Sequence, residues 1–219
     1  MTFSICATVE GRHGVAVATK AIAVGSTAPF VCRRGAVCTQ AMTSTPLGVR
    51  TIRALEAGDA IDAAVEELLA DDPHATVRQI HGVDADGGVV AITGEECVPT
   101  AGERVGSEYT VAGNMLVGED VLGAMADRFE TTVGRPLDER LLAALEAGAN
   151  AGGDKRGEHA QSAALCVFDP EEPHLAHDLR VDEHETAVAK LARIHELARR
   201  VGSEWEEKYP RADLQRHPW

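Results

Sequence analysis

The order of its apolar segments constrains what this chain can fold into more than any other feature. Residues 3–9 are apolar and β-branched, residues 11–14 read as a turn, and residues 15–18 read as a second strand. A third strand covers residues 35–40. These runs are nearly continuous in apolar character, which suits strands covered on both faces. Two helical patterns follow. The first spans residues 47–55 and closes at Gly58; the second spans 61–69, with Asp59 at its N-cap position. Residues 77–83 and 89–93 form a hairpin around Asp84, Asp86, Gly87 and Gly88. Residues 109–112 are a short strand and 113–115 lead into a helix over 119–129. Pro136 opens another helix over 137–147. A glycine-rich loop over 148–157 precedes a strand over 162–168. A last helix over 186–201 carries Val188, Leu191, Ile194 and Leu197 on one face.

Helices that arrive in pairs between groups of strands argue against a doubly wound βαβ sheet. Two sheets face to face, each covered outside by helices, fit the order: an α+β fold with four layers, αββα. The chain of 219 residues is long enough for one substantial core and short for two domains. No repeat or linker divides it, so one domain is expected over 1–202, followed by a polar tail over 203–219. With aromatic residues at 4%, the core must be built from Ala, Val, Leu and Ile.

The net charge of -14, from 35 acidic and 21 basic residues, repels nucleic acid and anionic membrane surfaces, so neither is an expected partner. No apolar run approaches bilayer length. The opening residues lack the basic-then-apolar pattern of a secretory signal, and a cytoplasmic protein is expected. Only four lysines occur, Lys20, Lys155, Lys190 and Lys208. High acidity with scarce lysine suits a salt-adapted cytoplasm, because concentrated salt screens self-repulsion. An ordinary acidic protein from a GC-rich genome is the alternative. The five cysteines form no C-x-x-C pair and read as small buried hydrophobes. His174, His177 and His184 lie in a Pro- and Glu-rich stretch and read as exposed loop histidines; a metal-dependent hydrolase resting on His174 and His177 is the lower-ranked alternative. No metal site and no cofactor are expected.

Several residues have chemistry to offer. Thr2 follows the initiator Met, and a small second residue is what methionine aminopeptidases tolerate. A free N-terminal Thr combines a nucleophilic hydroxyl with its own α-amine, whose pKa of about 7.7–8.0 lets it act as base. Taken alone, Thr at position 2 is a common strand residue. Lys20 ends the second strand, where it can lower the Thr2 amine pKa by like-charge repulsion; a lysine snorkelling from a strand end is the alternative. Thr39 and Gln40 end the third strand. Asn114 joins a strand to a helix, where its amide can donate to an oxyanion or serve as a cap. In residues 152–157, glycines let N–H groups converge on an anion beside Asp154, Lys155 and Arg156, or form a tight turn with an Asp–Arg pair. Arg78 with Gln79, and Asp178, Arg180 and Asp182, are polar clusters beside strands, each of which also suits a structural ion pair.

The runs at 2–5, 14–20, 36–40, 78–79, 113–116, 151–157, 161–164 and 179–182 together resemble an uncharacterised N-terminal-nucleophile (Ntn) hydrolase-like family, domain of unknown function 1028. They extend from position 2 to about 197. The resemblance implies the αββα sandwich of the Ntn superfamily and leaves the substrate open. The opening Thr2-Phe3-Ser4, with Lys20 at the end of the second strand, also resembles proteasome-type Ntn proteins, in which an N-terminal Thr is the nucleophile and a lysine assists. With no propeptide preceding it, only removal of Met1 exposes the Thr2 amine.

The expected activity is hydrolysis of a linear amide or related C–N bond in a small polar molecule. Thr2 is the nucleophile, Lys20 tunes its amine, and Asn114 or nearby N–H groups hold the oxyanion. Thr39, Gln40, Arg78, Asp154, Arg156 and Arg180 are the expected substrate-binding residues, with Arg156 or Arg180 taking a substrate carboxylate. A catalytically silent Ntn fold used for ligand binding or assembly is the alternative, and a homo-oligomer is expected by superfamily analogy alone. The charge makes one prediction of its own. Denaturant midpoints should rise with ionic strength; full stability at low salt would count against salt adaptation.

Overall fold

The computed structural model describes residues 1–154, 159–171 and 175–208. In chain order the elements are β1 (Thr2–Val9), β2 (Arg12–Thr19), β3 (Pro29–Cys32), β4 (Gly35–Ala41), α1 (Thr45–Ala57), α2 (Ile61–Ala70), β5 (Arg78–Asp84), β6 (Val89–Thr93), β7 (Gly102–Val105), β8 (Tyr109–Asn114), α3 (Asp120–Thr131), α4 (Leu137–Asn150), β9 (Ser162–Phe168), β10 (Leu175–Val181) and α5 (Ala187–Lys208). The fold is α+β with two antiparallel sheets. One has the order β10-β9-β2-β1-β8-β7 and the other β3-β4-β5-β6.

Alternation along β1 sets the packing. Phe3, Ile5 and Ala7 point to the outer face of the six-stranded sheet, where α3, α4 and α5 cover them with Phe129, Leu141, Leu145 and Leu191. Cys6 points the other way and meets Val15, Val17, Ala36, Cys38, Val83 and Ala164 between the sheets. On the far side of the four-stranded sheet, α1 and α2 bury Leu55, Ile61 and Val65 against Val37 and Ile80. The apolar residues between the sheets are small, all Ala, Val or Cys.

The β1–β2 turn is tighter than the expected 11–14. Glu10 and Gly11 alone form it, both at positive φ (51° and 77°), the combination whose twist matches a two-residue hairpin. Gly14 therefore lies within β2, where a Cβ would stand 2.6 Å from Leu141 Cδ1 of α4. Its role is close helix approach, not turning.

Helix α1 starts at Thr45, two residues before the expected 47, with Ser44 Oγ accepting from the Leu47 N–H, and ends as expected at Gly58, in the left-handed region. Helix α2 departs from expectation at its cap. Asp59 makes no cap; the N-cap position is Ala60. The buried Asp84 at the end of β5 takes over. Its Oδ2 accepts from the Ile61 N–H (3.1 Å), while Oδ1 accepts from the N–H groups of Asp86 (2.9 Å) and Gly88 (2.7 Å). One carboxylate thus closes the β5–β6 turn and caps a helix distant in sequence.

On the helical side of the six-stranded sheet, α5 is pinned by polar groups. Asp138 Oδ2 accepts from His195 Nε2 at 2.6 Å and faces His177 Nε2 at 3.4 Å. Burial alone would raise the Asp138 carboxyl, but its bonds to His177 and His195 hold it well below the usual carboxylate range. His177 therefore stands on a half-buried strand, not in the exposed loop expected for it, because β10 packs beneath α5. His184 is exposed, its Nδ1 accepting from the Thr186 N–H just before α5; His174 lies outside the described residues. Among the described residues, no helix is long and apolar enough to cross a membrane.

The Asp84 arrangement predicts that Asp84→Ala costs at least about 2 kcal/mol, since it strands donors at both a turn and a helix start. Asp59→Ala should stay within about 0.5 kcal/mol. Denaturant midpoints of the two variants measure the contrast, and equal effects would contradict it.

Candidate functional site

The two-residue turn at 10–11 dictates the register of the first hairpin, so Thr2 pairs with Thr19 on one side. On its other side Thr2 pairs with Asn114, the last residue of β8. The head of β1 is therefore flanked by the ends of β2 and β8, and the end of β4 lies nearby in the facing sheet. A cleft of about 670 Å³ opens here, lined by Met1, Thr2, Thr19, Lys20, Asn114 and Met115, with Ala41, Met42, Glu96 and Cys97 opposite. The three residues expected to carry catalysis, Thr2, Lys20 and Asn114, share this one cleft. So do two strained residues: Ala41 and Met115 both have positive φ (64° and 54°), a conformation that costs free energy and clusters at functional sites.

Thr2 is buried. Its Oγ1 lies 2.9 Å from Thr19 Oγ1, which donates its own hydrogen to the Met1 carbonyl oxygen at 2.5 Å. Thr2 must therefore be the donor in the pair. The Met1 carbonyl also accepts from the Lys20 backbone N–H at 3.3 Å. Met1 itself is buried, with its side chain among the core residues and its amine 3.4 Å from Met115 Sδ. It separates the cleft from a smaller cavity of about 220 Å³ lined by Phe3, Glu146, Asn150, Gly153 and His159.

Asn114 is held from behind by a buried polar chain between the sheets. Its Nδ2 donates to Gln79 Oε1 (3.1 Å), which also accepts from Gln40 Nε2 (2.8 Å). Gln79 Nε2 reaches Thr93 Oγ1 (2.7 Å) and the Gly113 carbonyl (2.9 Å). Gln40 Oε1 accepts from Ser4 Oγ (2.8 Å), and Ser4 lies 2.7 Å from His81 Nε2. Because the Ser4 hydrogen is given to Gln40, His81 must donate through Nε2 and accept through Nδ1 from Thr110 Oγ1 (2.9 Å). Burial keeps this imidazole neutral, with its pKa lowered to about 3.

The expected substrate-binding residues divide. Gln40 reaches Asn114 only through Gln79. Thr39 accepts from the Ser44 N–H (3.0 Å) at the start of α1. Arg78 is engaged by Asp72 (2.8 Å) and the Met42 carbonyl (2.6 Å), so it braces a cleft-lining segment. Asp154 is fully buried and bridges to Leu116. Arg180 pairs with Asp182 (2.9 Å) at the surface, away from the cleft lining. Arg156 lies outside the described residues. Lys20 thus supplies the cationic side chain among the described residues of the cleft. Thr19 was not anticipated as a site residue, although a two-residue turn at 10–11 already implies the pairing of positions 2 and 19.

A family model described as a family of unknown function, DUF1028, matches residues 2–191. The chain belongs to this family. A crystal structure of another DUF1028 protein, SPO2555 from Silicibacter pomeroyi, is similar over 90% of this chain and 88% of that one, with 31% identity and a TM-score of 0.81. No curated protein gives a match. Membership in DUF1028 thus accounts for the arrangement of strands and helices, while the chemistry must be argued from the cleft.

The inter-sheet chain makes a pH prediction. Unfolded, His81 titrates near about 6.5; folded, it does so at about 3. Between these values the unfolded chain binds a proton that the folded one refuses, so stability falls as pH drops from about 6.5 towards 3. His81→Gln should flatten that part of the profile, read from denaturant midpoints at a series of pH values. A slope unchanged by the substitution would show that His81 is not responsible.

Proposed function

We propose that this DUF1028 domain is a four-layer αββα sandwich of the Ntn type which, once the Met1–Thr2 bond is cut, hydrolyses a linear amide or related C–N bond in a small polar metabolite. One observation carries the reading. Two donors, Thr19 Oγ1 and the Lys20 N–H, converge on a carbonyl oxygen immediately beside Thr2. The Met1 carbonyl stands in for that of a substrate. With Met1 gone, both donors face the vacated position, and Asn114 Nδ2 has a second hydrogen besides the one given to Gln79.

In this mechanism the freed Thr2 α-amine takes the proton from Thr2 Oγ1 as the oxygen attacks the substrate carbonyl carbon. The positive charge of Lys20 lowers the pKa of the amine and keeps it available as a base near neutral pH. The tetrahedral oxyanion is held by the converging donors. The C–N bond then breaks, and the leaving amine takes the proton back from the Thr2 ammonium. Water, deprotonated by the same amine, attacks the Thr2 ester and releases the acid. No cofactor enters these steps. In a chain of net charge -14, Lys20 is the attraction for an anionic or strongly polar substrate.

A second reading, the catalytically silent fold, is favoured by the burial of Met1, whose side chain fills core space and whose carbonyl occupies the two donors. A panel of linear amides and ureides at high salt, assayed with wild type and Thr2→Ala in parallel, separates the two. The hydrolase reading predicts a loss on the order of 10³-fold or more in the variant. Turnover by Thr2→Ala equal to wild type contradicts Thr2 as the nucleophile, and binding without turnover in both supports the silent fold.

A further inference from the structure

Three side chains remote from one another in sequence converge beneath α5. Asp138 comes from the first turn of α4, His177 from β10 and His195 from α5. One ligand atom from each of the three lies within 4.8 Å of those of the other two. None of the three lines the Thr2 cleft.

We infer that Asp138, His177 and His195 form a binding site for a divalent transition-metal ion of the zinc class. Adjacent ligand atoms around a tetrahedral zinc with bonds of about 2.0–2.1 Å stand about 3.3 Å apart. Asp138 Oδ2 and His177 Nε2 are 3.4 Å apart, already at that spacing. Asp138 Oδ2 and His195 Nε2, at 2.6 Å, are drawn closer by a hydrogen bond and need to part by a fraction of an ångström. Both imidazoles present the same ring nitrogen to the same carboxylate oxygen. Replacing the hydrogens on those nitrogens with one dication keeps all three groups in place and satisfies the carboxylate.

Two imidazoles and a carboxylate make a donor set of intermediate softness, suited to zinc and its neighbours rather than to calcium or magnesium. The site is partly enclosed: Asp138 and His195 are buried, while His177 keeps about a fifth of its side chain exposed. His177 also lines a surface cleft of about 560 Å³ between β10 and α5, bordered by Asp178, Arg199, Ser203 and Glu206. That cleft provides entry and room for water as a fourth ligand. Arg199, the nearby cation, is paired with Glu139. A metal here would tie α4, β10 and α5 together and act independently of Thr2.

The test is calorimetric titration of zinc chloride into the chelator-stripped full chain, with thermal unfolding in parallel. The expected result is one saturable site per chain, a higher unfolding temperature with zinc, and a loss of affinity in His177→Ala of at least the roughly 10–100-fold caused by losing an outer-shell partner. No saturable binding, or affinity unchanged in His177→Ala, overturns the assignment. Cobalt-loaded wild type gives a readout that needs no variant: ligand-field bands without thiolate charge transfer support the site, whereas a thiolate band places the metal on cysteine instead.

Discussion

Strand β1 is hydrogen-bonded along both edges, and its two faces look into different interiors. One face carries Phe3, Ile5 and Ala7 into the helical side of the six-stranded sheet. The other carries Thr2, Ser4 and Cys6 toward the four-stranded sheet. A shift of one residue would exchange these sets, putting Phe3 and Ile5 between sheets packed with alanine, valine and cysteine. The register is therefore doubly specified, by burial and by the two-residue turn. The same register sets Thr2 between Thr19 and Asn114.

Between the sheets the structure accepts a line of buried polar side chains, from Thr110 and His81 through Ser4, Gln40 and Gln79 to Asn114. Such a chain is tolerable only when its members are paired, because an unpaired buried donor or acceptor forfeits about 1–3 kcal/mol. Each member is engaged, at 2.7–3.1 Å. This couples the two sheets by direction as well as by contact, and the Asn114 amide inherits its orientation from residues that never touch the cleft. Gln40 and Gln79 are thus positioning residues for Asn114.

Much of this was legible in the sequence. The central strands are almost wholly apolar and are recognisable as such. Strand β3, Pro29–Cys32, is too short to show a pattern, and β7 and β10 are sheet edges. An edge strand presents polar residues to solvent, so Gly-Glu-Arg-Val and Leu-Ala-His-Asp-Leu-Arg-Val carry no clear apolar pattern. The cap of α2 fell to Asp84 instead of Asp59 because a long-range donor pairing outcompeted a local one. In the cleft, Thr2, Lys20 and Asn114 could be singled out by residue type and by their places at element ends. The partner of Thr2, Thr19, follows from turn arithmetic, whereas the Gln79 link to Asn114 crosses from one sheet to the other and has no local signature.

The central claim concerns the first peptide bond. Thr19 Oγ1 and the Lys20 N–H are committed to Met1, whose carbonyl occupies the position assigned to a substrate and whose peptide bond turns the Thr2 amine into an amide. The account requires that bond to be cut. Intact-mass spectrometry of the purified protein measures this directly. The predicted result is a mature chain whose N-terminus is Thr2, lighter than the full sequence by one methionine residue; a protein that uniformly retains Met1 would contradict the account.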